Sequence, residues 1–416
     1  MMTSKSAEGV YVWTWLPGQV DPVVSGLVSR LGLRYFFNYG RSYLGRPGAV
    51  SLNPAELPLV SGLQAPRPGL SMAGCLRDAL PDAWGHRVIA STLLTSRGGE
   101  DPGHEPSDFD DMLASGSDRI GSLDFQNSAQ SYSPRQGQNA DLADLARAAD
   151  LLEAGLPLPP GLDSALLHGT SMGGARPKAF LDSPEGKFIA KFSSSTDEYP
   201  VVRAEFLAMR LASLAGLKVA PVHLEKILGK DILVVERFDR VRTPSGWERR
   251  RMLSALTLLQ LDEMMARYAS YELLADILRS QGRPKSDNPE ELFARLVFNI
   301  LCGNNDDHAR NHAVFLEGDG LVLTPAYDIC PQARAGSVST QGMLICGQDR
   351  RSRLETCLAA APRFMLNPSK AKGIVDRLLA CIHDNWIAVC DLATFTKVER
   401  DRLWQRQFLN PYIFEK

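Results

Sequence analysis

The sequence predicts an α+β chain in three parts: a β-rich N-terminal part over 1–130, a mixed part over 140–240, and a helical part over 241–416. Three observations predict it. Short runs of β-branched and aromatic residues, broken by Pro-Gly turns, occupy the chain before Pro58. Strand and helix patterns alternate between His168 and Arg240. After Ser254 nearly every segment has helical periodicity. A chain of 416 residues, 44% hydrophobic and 23% charged, has room for two or three ordinary globular cores.

The elements follow in order. Residues 10–16 (Val-Tyr-Val-Trp-Thr-Trp-Leu) read as a strand before the Pro17-Gly18 turn, and 33–39 as a second strand. Residues 47–58 are loop-rich. Pro81 opens a helix over 81–89, because proline has no N–H to lose in a first turn. Residues 97–111 are rich in Gly, Pro and Asp and read as a loop, and the polar stretch 128–138 as a domain boundary. Helical periodicity returns over 142–154. The runs 179–181 and 188–192 flank Pro184-Glu185-Gly186, a hairpin signature. Residues 203–215 form a helix stopped by Gly216, and 232–238 a buried strand. Within the helical part, 313–316 and 321–323 are strands on either side of Gly318-Asp319-Gly320.

Composition excludes several classes. With 46 Lys and Arg against 48 Asp and Glu, no bulk basic field draws the chain to nucleic acid, which leaves a local patch or a partner as the route. Seven scattered cysteines without a C-x-x-C pattern argue for reduced thiols in the cytoplasm rather than a disulfide framework or a zinc site. No signal peptide is visible. No apolar run approaches the ~18 residues of a membrane span, so no membrane partner is expected.

The chemistry lies in four stretches. The first is Gly169-Thr170-Ser171-Met172-Gly173-Gly174-Ala175-Arg176-Pro177-Lys178, where glycines let backbone N–H groups approach a phosphate and Lys178 adds a cation. By itself it equally fits a plain turn. The second is Lys191, one lysine in an apolar strand, with Glu205 early in the next helix as its orienting partner. An edge-strand lysine and a solvated glutamate are the plainer readings. The third is Val235-Glu236-Arg237-Phe238-Asp239-Arg240, where a strand leaves the mixed part, as in a linker that offers backbone groups to adenine. The fourth is Asp306-Asp307-His308-Ala309-Arg310-Asn311, followed by Tyr327-Asp328. Asp306 and Asn311 have the D-x-x-x-x-N spacing of a kinase catalytic loop. A carboxylate takes the hydroxyl proton there, and an amide with a second carboxylate, Asp328, holds Mg²⁺. Asp307 is the rival base, but five positions on it meets His312. His308 either contacts a ligand or braces the loop. The order of these stretches points to a two-lobed, protein-kinase-like fold with an N-terminal β-rich subdomain and an all-α C-terminal lobe.

These stretches resemble the HipA family of serine/threonine kinases. Leu80-Pro81-Asp82-Ala83-Trp84-Gly85 and Ile120-Gly121-Ser122-Leu123 are similar to segments of that family's first domain. The resemblance implies ATP and Mg²⁺ as cofactors, with Gly173, Gly174, Ala175, Arg176 and Lys178 at the phosphates and Lys191 at the α/β-phosphates. It places Glu236 and Phe238 at adenine and His308 and Tyr327 near the nucleotide. Asp306 is then the base, and Asn311 and Asp328 hold the metal. It further implies a toxin of a toxin–antitoxin module, linked to persistence, that phosphorylates a cytoplasmic protein, an aminoacyl-tRNA synthetase. A small helix-turn-helix antitoxin (HipB-like) is the implied partner and the only route to operator DNA. Autophosphorylation at Ser171, with Thr170 as neighbouring candidate, is the implied off switch. Two other readings share the residues: a small-molecule phosphotransferase on a kinase-like scaffold, and a non-catalytic subunit bridging antitoxin and DNA.

Overall fold

The computed structural model describes residues 9–96, 106–135, 141–156, 158, 176–183, 185–194, 196–334, 336 and 338–415. Contacts divide the chain into two compact units that interleave in sequence. One is Met1–Ser194 with Asp239–Leu253, and the other is Ser195–Phe238 with Ser254–Lys416. The three-part division expected from strand and helix patterning is drawn along the sequence, whereas this one is drawn by contacts in space.

In the first unit, four antiparallel strands form a sheet in the order Arg34–Tyr39, Pro22–Leu31, Gly9–Trp15, Leu123–Gln126. The strand Pro22–Leu31 escaped the sequence reading because Ser25 and Gly26 interrupt its apolar run. Gly26 is required there, since a Cβ would lie 2.3 Å from the Asn38 carbonyl oxygen. A buried charge network fixes the sheet's last strand. Asp124 is fully buried and accepts from Arg119 at 2.9 Å and from Arg135 at 2.8 Å. Arg119 also donates to the carbonyls of Ala79 and Met112. Such a pair holds only because its remaining donors are also satisfied.

Part of the expected loop 97–111 is instead helical. Asp108–Ala114 is a helix opened by a capping box, in which Ser107 and Asp110 each bond the other's backbone N–H. The helix Ala83–Ser96 begins beside Asp82, whose Oδ1 accepts from the Gly85 N–H at 2.8 Å. The hairpin Lys178–Asp182/Lys187–Phe192 forms as its sequence suggests. It is joined to that helix by Trp84 Nε1 donating to the Lys178 carbonyl at 3.3 Å. The segment 239–253 belongs to this unit because of its charges. Arg240 pairs with Asp118 at 2.7 Å, Asp239 accepts from the Gly121 N–H at 2.8 Å, and the Arg249 guanidinium lies 3.5 Å from the Trp15 ring centre.

In the second unit, the hairpin Val222–Ile227/Lys230–Glu236 accompanies the helices Val201–Leu214, Tyr271–Gln281, Asn288–Cys302 and Pro368–Leu392. The strand expected over 232–238 stops at Glu236. The helical part also carries the hairpin Ala313–Glu317/Gly320–Leu323, the one exception its sequence announced. Asn288–Cys302 is the core helix: Leu292, Phe293, Leu296, Val297, Phe298, Ile300 and Leu301 are all buried. Among the described residues no helix is long and apolar enough to cross a membrane.

Asn288–Cys302 ends at Gly303, whose φ is +74° and whose missing Cβ would stand 2.5 Å from the Gln407 carbonyl oxygen. Gly303→Ala meets both a left-handed backbone and a backbone clash. We expect it to lower stability by about 1–3 kcal/mol or more, read as a lower urea midpoint.

Candidate active site

The second unit builds an acidic site at the end of its core helix. Asn299 is a lone amide in the apolar run 296–301, and it is buried. A buried amide needs partners, and Asn299 has them in the loop that follows its helix. Its Nδ2 donates to Asp307 Oδ2 at 2.7 Å, and its Oδ1 accepts from Asn304 Nδ2 at 3.1 Å. His312 Nε2 lies 3.0 Å from Asp307 Oδ1, and the His312 ring meets Tyr271 edge-on. Asp307 is 1% exposed. It anchors the loop.

Asp306, one residue earlier, is exposed. This separates the two candidate bases: Asp307 is spent on the fold, and Asp306 is presented to solvent. The Asp306 carboxyl is pushed above its ordinary range, first by partial burial and also by the charge of Asp328, against an opposing pull from His308. Asn311 closes a short 3₁₀ turn, Ala309–Asn311, and its Nδ2 reaches the Asp306 carbonyl at 3.4 Å. The Tyr327 hydroxyl donates to the Arg310 carbonyl at 2.7 Å.

Asp328 has φ +58°, a left-handed conformation that Asp tolerates better than most residues. Its segment is held from behind. Ala326 N–H donates to the Lys218 carbonyl at 2.7 Å. The buried pair Arg295–Glu291 ties Thr324 through its carbonyl (2.8 Å) and Lys218 through its N–H (3.1 Å). Asn304 also donates to the Asp328 carbonyl at 3.4 Å, so one side chain bridges the two acidic segments.

The other residues singled out from sequence fall as follows. Phe238 is half-buried between Phe315 and Tyr327, with ring centres 6.0 and 5.6 Å away. Glu236 is exposed at its strand end, and its N–H donates to the Pro221 carbonyl. Glu205 is 3% exposed, which no solvated surface glutamate is. In the first unit, Arg176 and Lys191 are half-buried. Lys178 is 2% exposed, and its ammonium lies 2.9 Å from Asp82 Oδ2. Thr170, Ser171, Gly173, Gly174 and Ala175 lie outside the described residues. Sequence reasoning gave no role to Asn299, Asn304, His312 or Asp82. An amide inside a run that a helix must bury was the available signal for the first.

A family model, the HipA-like C-terminal domain, matches residues 170–386, more than half of the chain. The chain belongs to this family. It is 33% identical over 150 residues to Y4mE of Sinorhizobium fredii, whose name marks it as a candidate kinase; the match covers 34% of this chain and 33% of that protein. It is 27% identical over 183 residues to the serine/threonine-protein kinase toxin HipA of Shewanella oneidensis, covering 38% of this chain and 42% of that one. The matches thus span less than half the length of these relatives. The Shewanella oneidensis structure of HipA, HipB and operator DNA aligns with a TM-score of 0.66 at 19% identity, over 94% of this chain and 97% of that one. That likeness shows the fold: a mixed α+β, HipA kinase-like architecture.

In this HipA-like chain the two neighbouring acids should respond oppositely to neutralisation. Asp307→Ala leaves Asn299 and His312 facing a void and is expected to cost about 3–5 kcal/mol in chemical denaturation. Asp306→Asn removes a carboxylate whose ionised form the fold disfavours. A raised carboxyl pKa weakens the fold above that pKa and has no effect below the unfolded value. Asp306→Asn should therefore raise Tm slightly at neutral pH, and the gain should vanish as pH falls below about 4.

Proposed function

We propose that this protein transfers the γ-phosphoryl group of ATP to a serine or threonine hydroxyl of a protein. The observation that supports this reading most is the exposed Asp306 with its carboxyl raised beside Asp328, on a D-x-x-x-x-N loop of a HipA-like chain. Asp306 accepts the hydroxyl proton as the oxygen attacks. A carboxyl raised above the usual range is a better proton acceptor than a free aspartate. Asp307 keeps the loop rigid and takes no proton.

The donor set of Asn311 and Asp328, one amide and one carboxylate, fits a hard cation such as Mg²⁺ that takes its remaining ligands from phosphates and water. Among the described residues no cluster of three His, Cys, Asp or Glu side chains stands ready for a softer metal. The ion, when bound, supplies positive charge against the phosphate oxygens. Lys191, with the buried Glu205 as its candidate partner, and Arg176 with Lys178 are the cations proposed for the phosphates. Phe238 and Glu236, with His308 and Tyr327, are proposed to form the base and ribose side of the nucleotide site. Gly173, Gly174 and Ala175 are proposed for the phosphates on sequence alone, as is Ser171 as the autophosphorylation site.

The substrate proposed is a cytoplasmic protein, in the first place an aminoacyl-tRNA synthetase. The partner proposed is a small antitoxin of the HipB kind, since the aligned structure is of HipA with HipB and operator DNA. Incubation with Mg·[γ-³²P]ATP and a cytoplasmic extract, beside Asp306→Asn, tests the reading. Wild type should label itself and one extract protein, and the variant should be slower by about 10²–10⁴-fold. Labelling of small alcohols but no protein would favour a small-molecule phosphotransferase. For the wild type, kcat/KM should fall on acidification through a pKa above the ~3.9 of free aspartate.

A further inference from the structure

Lys178 and Lys191 are directly opposed partners in the antiparallel hairpin, so their side chains leave the same face. Two like charges placed so are destabilising unless one is balanced. The balance comes from outside the hairpin. Asp82 stands 2.9 Å from the Lys178 ammonium, and that lysine side chain is 3% exposed. Asp82 is itself held, through the Gly85 N–H at 2.8 Å, at the start of the helix Ala83–Ser96. Two residues on, Trp84 Nε1 grips the Lys178 carbonyl at 3.3 Å. One short segment thus holds this lysine by both its ammonium and its backbone. The sequence singled out Lys178 but gave Asp82 no role.

We propose that Asp82 is a positioning residue for the phosphoryl chemistry: it orients Lys178 and balances its charge opposite Lys191, so that both lysines stay protonated on the face offered to phosphate. This rests on the kinase reading. Without Asp82, the buried Lys178 ammonium loses a carboxylate that stands 2.9 Å away while Lys191 stays directly opposite, and both effects favour its neutral form. Among the described groups around it are Asp82 from the helix start and Lys191 from the paired strand, with the His86–Asp111 pair further along the helix.

The test is Mg·ATP affinity of the full chain by calorimetry, and KM and kcat for labelling, from about pH 6 to 9. Wild-type affinity should be nearly flat. Asp82→Asn should lose ATP affinity progressively as pH rises, because a lysine with a lowered pKa is charged only at the acid end. Each unit by which that pKa falls below the working pH removes about tenfold of the charged form. KM should carry more of the loss than kcat, and Asp82→Glu should restore the flat profile. Lys178→Met should be weak at every pH, and adding Asp82→Asn to it should cost nothing further. A merely structural Asp82 predicts instead a pH-independent loss, equal in KM and kcat, and that result overturns the proposal. So does an Asp82→Asn protein with wild-type affinity throughout. If Asp82→Asn does not fold, the neutral pair Asp82→Asn with Lys178→Met replaces it: affinity matching Lys178→Met alone supports the proposal, and failure of this pair to fold overturns it. Wild type that binds no ATP defeats the kinase reading itself, whereas wild type that binds beside an unaltered Asp82→Asn defeats only this inference.

Discussion

The hydrogen bond from Asn299 to Asp307 is the constraint on which the acidic site depends. Asn299 sits among the buried Leu296, Val297, Phe298, Ile300 and Leu301 of its helix, where an unpaired amide would cost about 1–3 kcal/mol. The amide is satisfied only if Asp307 and Asn304 return to it. Their return sets where Asp306 emerges. Because Asn304 also reaches the Asp328 carbonyl, the same amide indirectly places the second acid. The arrangement separates adjacent residues: one carboxylate is consumed in holding the backbone, and its neighbour is left exposed. Networks of this kind are all-or-none, since a half-satisfied one is worse than none.

Much of this was legible in the sequence, for identifiable reasons. The D-x-x-x-x-N spacing and the following Asp are set by loop length, and the hairpins 178–192 and 313–323 are announced by turn residues between apolar runs. Spacing ranks Asp306 above Asp307, and the structure buries Asp307 and exposes Asp306. What failed to show depends on partners distant in sequence. The strand Pro22–Leu31 has its apolar run broken by Ser25 and Gly26 and is fixed by its neighbours in the sheet. The helix Asp108–Ala114 is acidic and short, and only its capping box marks it. Lys178 reads as a phosphate cation, yet a carboxylate 96 positions away already holds it. Pairings over that range have no periodicity to betray them.

Both units share one habit: each buries a complete arginine–carboxylate pair where irregular chain must be fixed. Arg119 and Asp124 secure the edge of the sheet, and Arg295 and Glu291 secure the approach to Asp328. In each case the guanidinium spends its remaining donors on backbone carbonyls outside its own element. Arginine suits this role because its planar donors point in fixed directions and it does not lose its charge when buried. The cost is that neither partner can be replaced singly.

The hairpin Arg240–Thr243/Gly246–Arg249 has a consequence for how the chain is made. It completes the first unit, by Arg240 on Asp118 and Arg249 on Trp15, yet it is translated after the first segment of the second unit. A ribosome therefore delivers the helix Val201–Leu214 and its hairpin before the first unit has its last strands, and long before the helix Pro368–Leu392 exists to pack against that helix. Neither unit can be cut out as one continuous stretch. Genetic shuffling cannot trade one for another without severing both, and a fragment ending near residue 240 would leave unfinished surfaces on each side of the break. The interleaving makes the two units heritable only together.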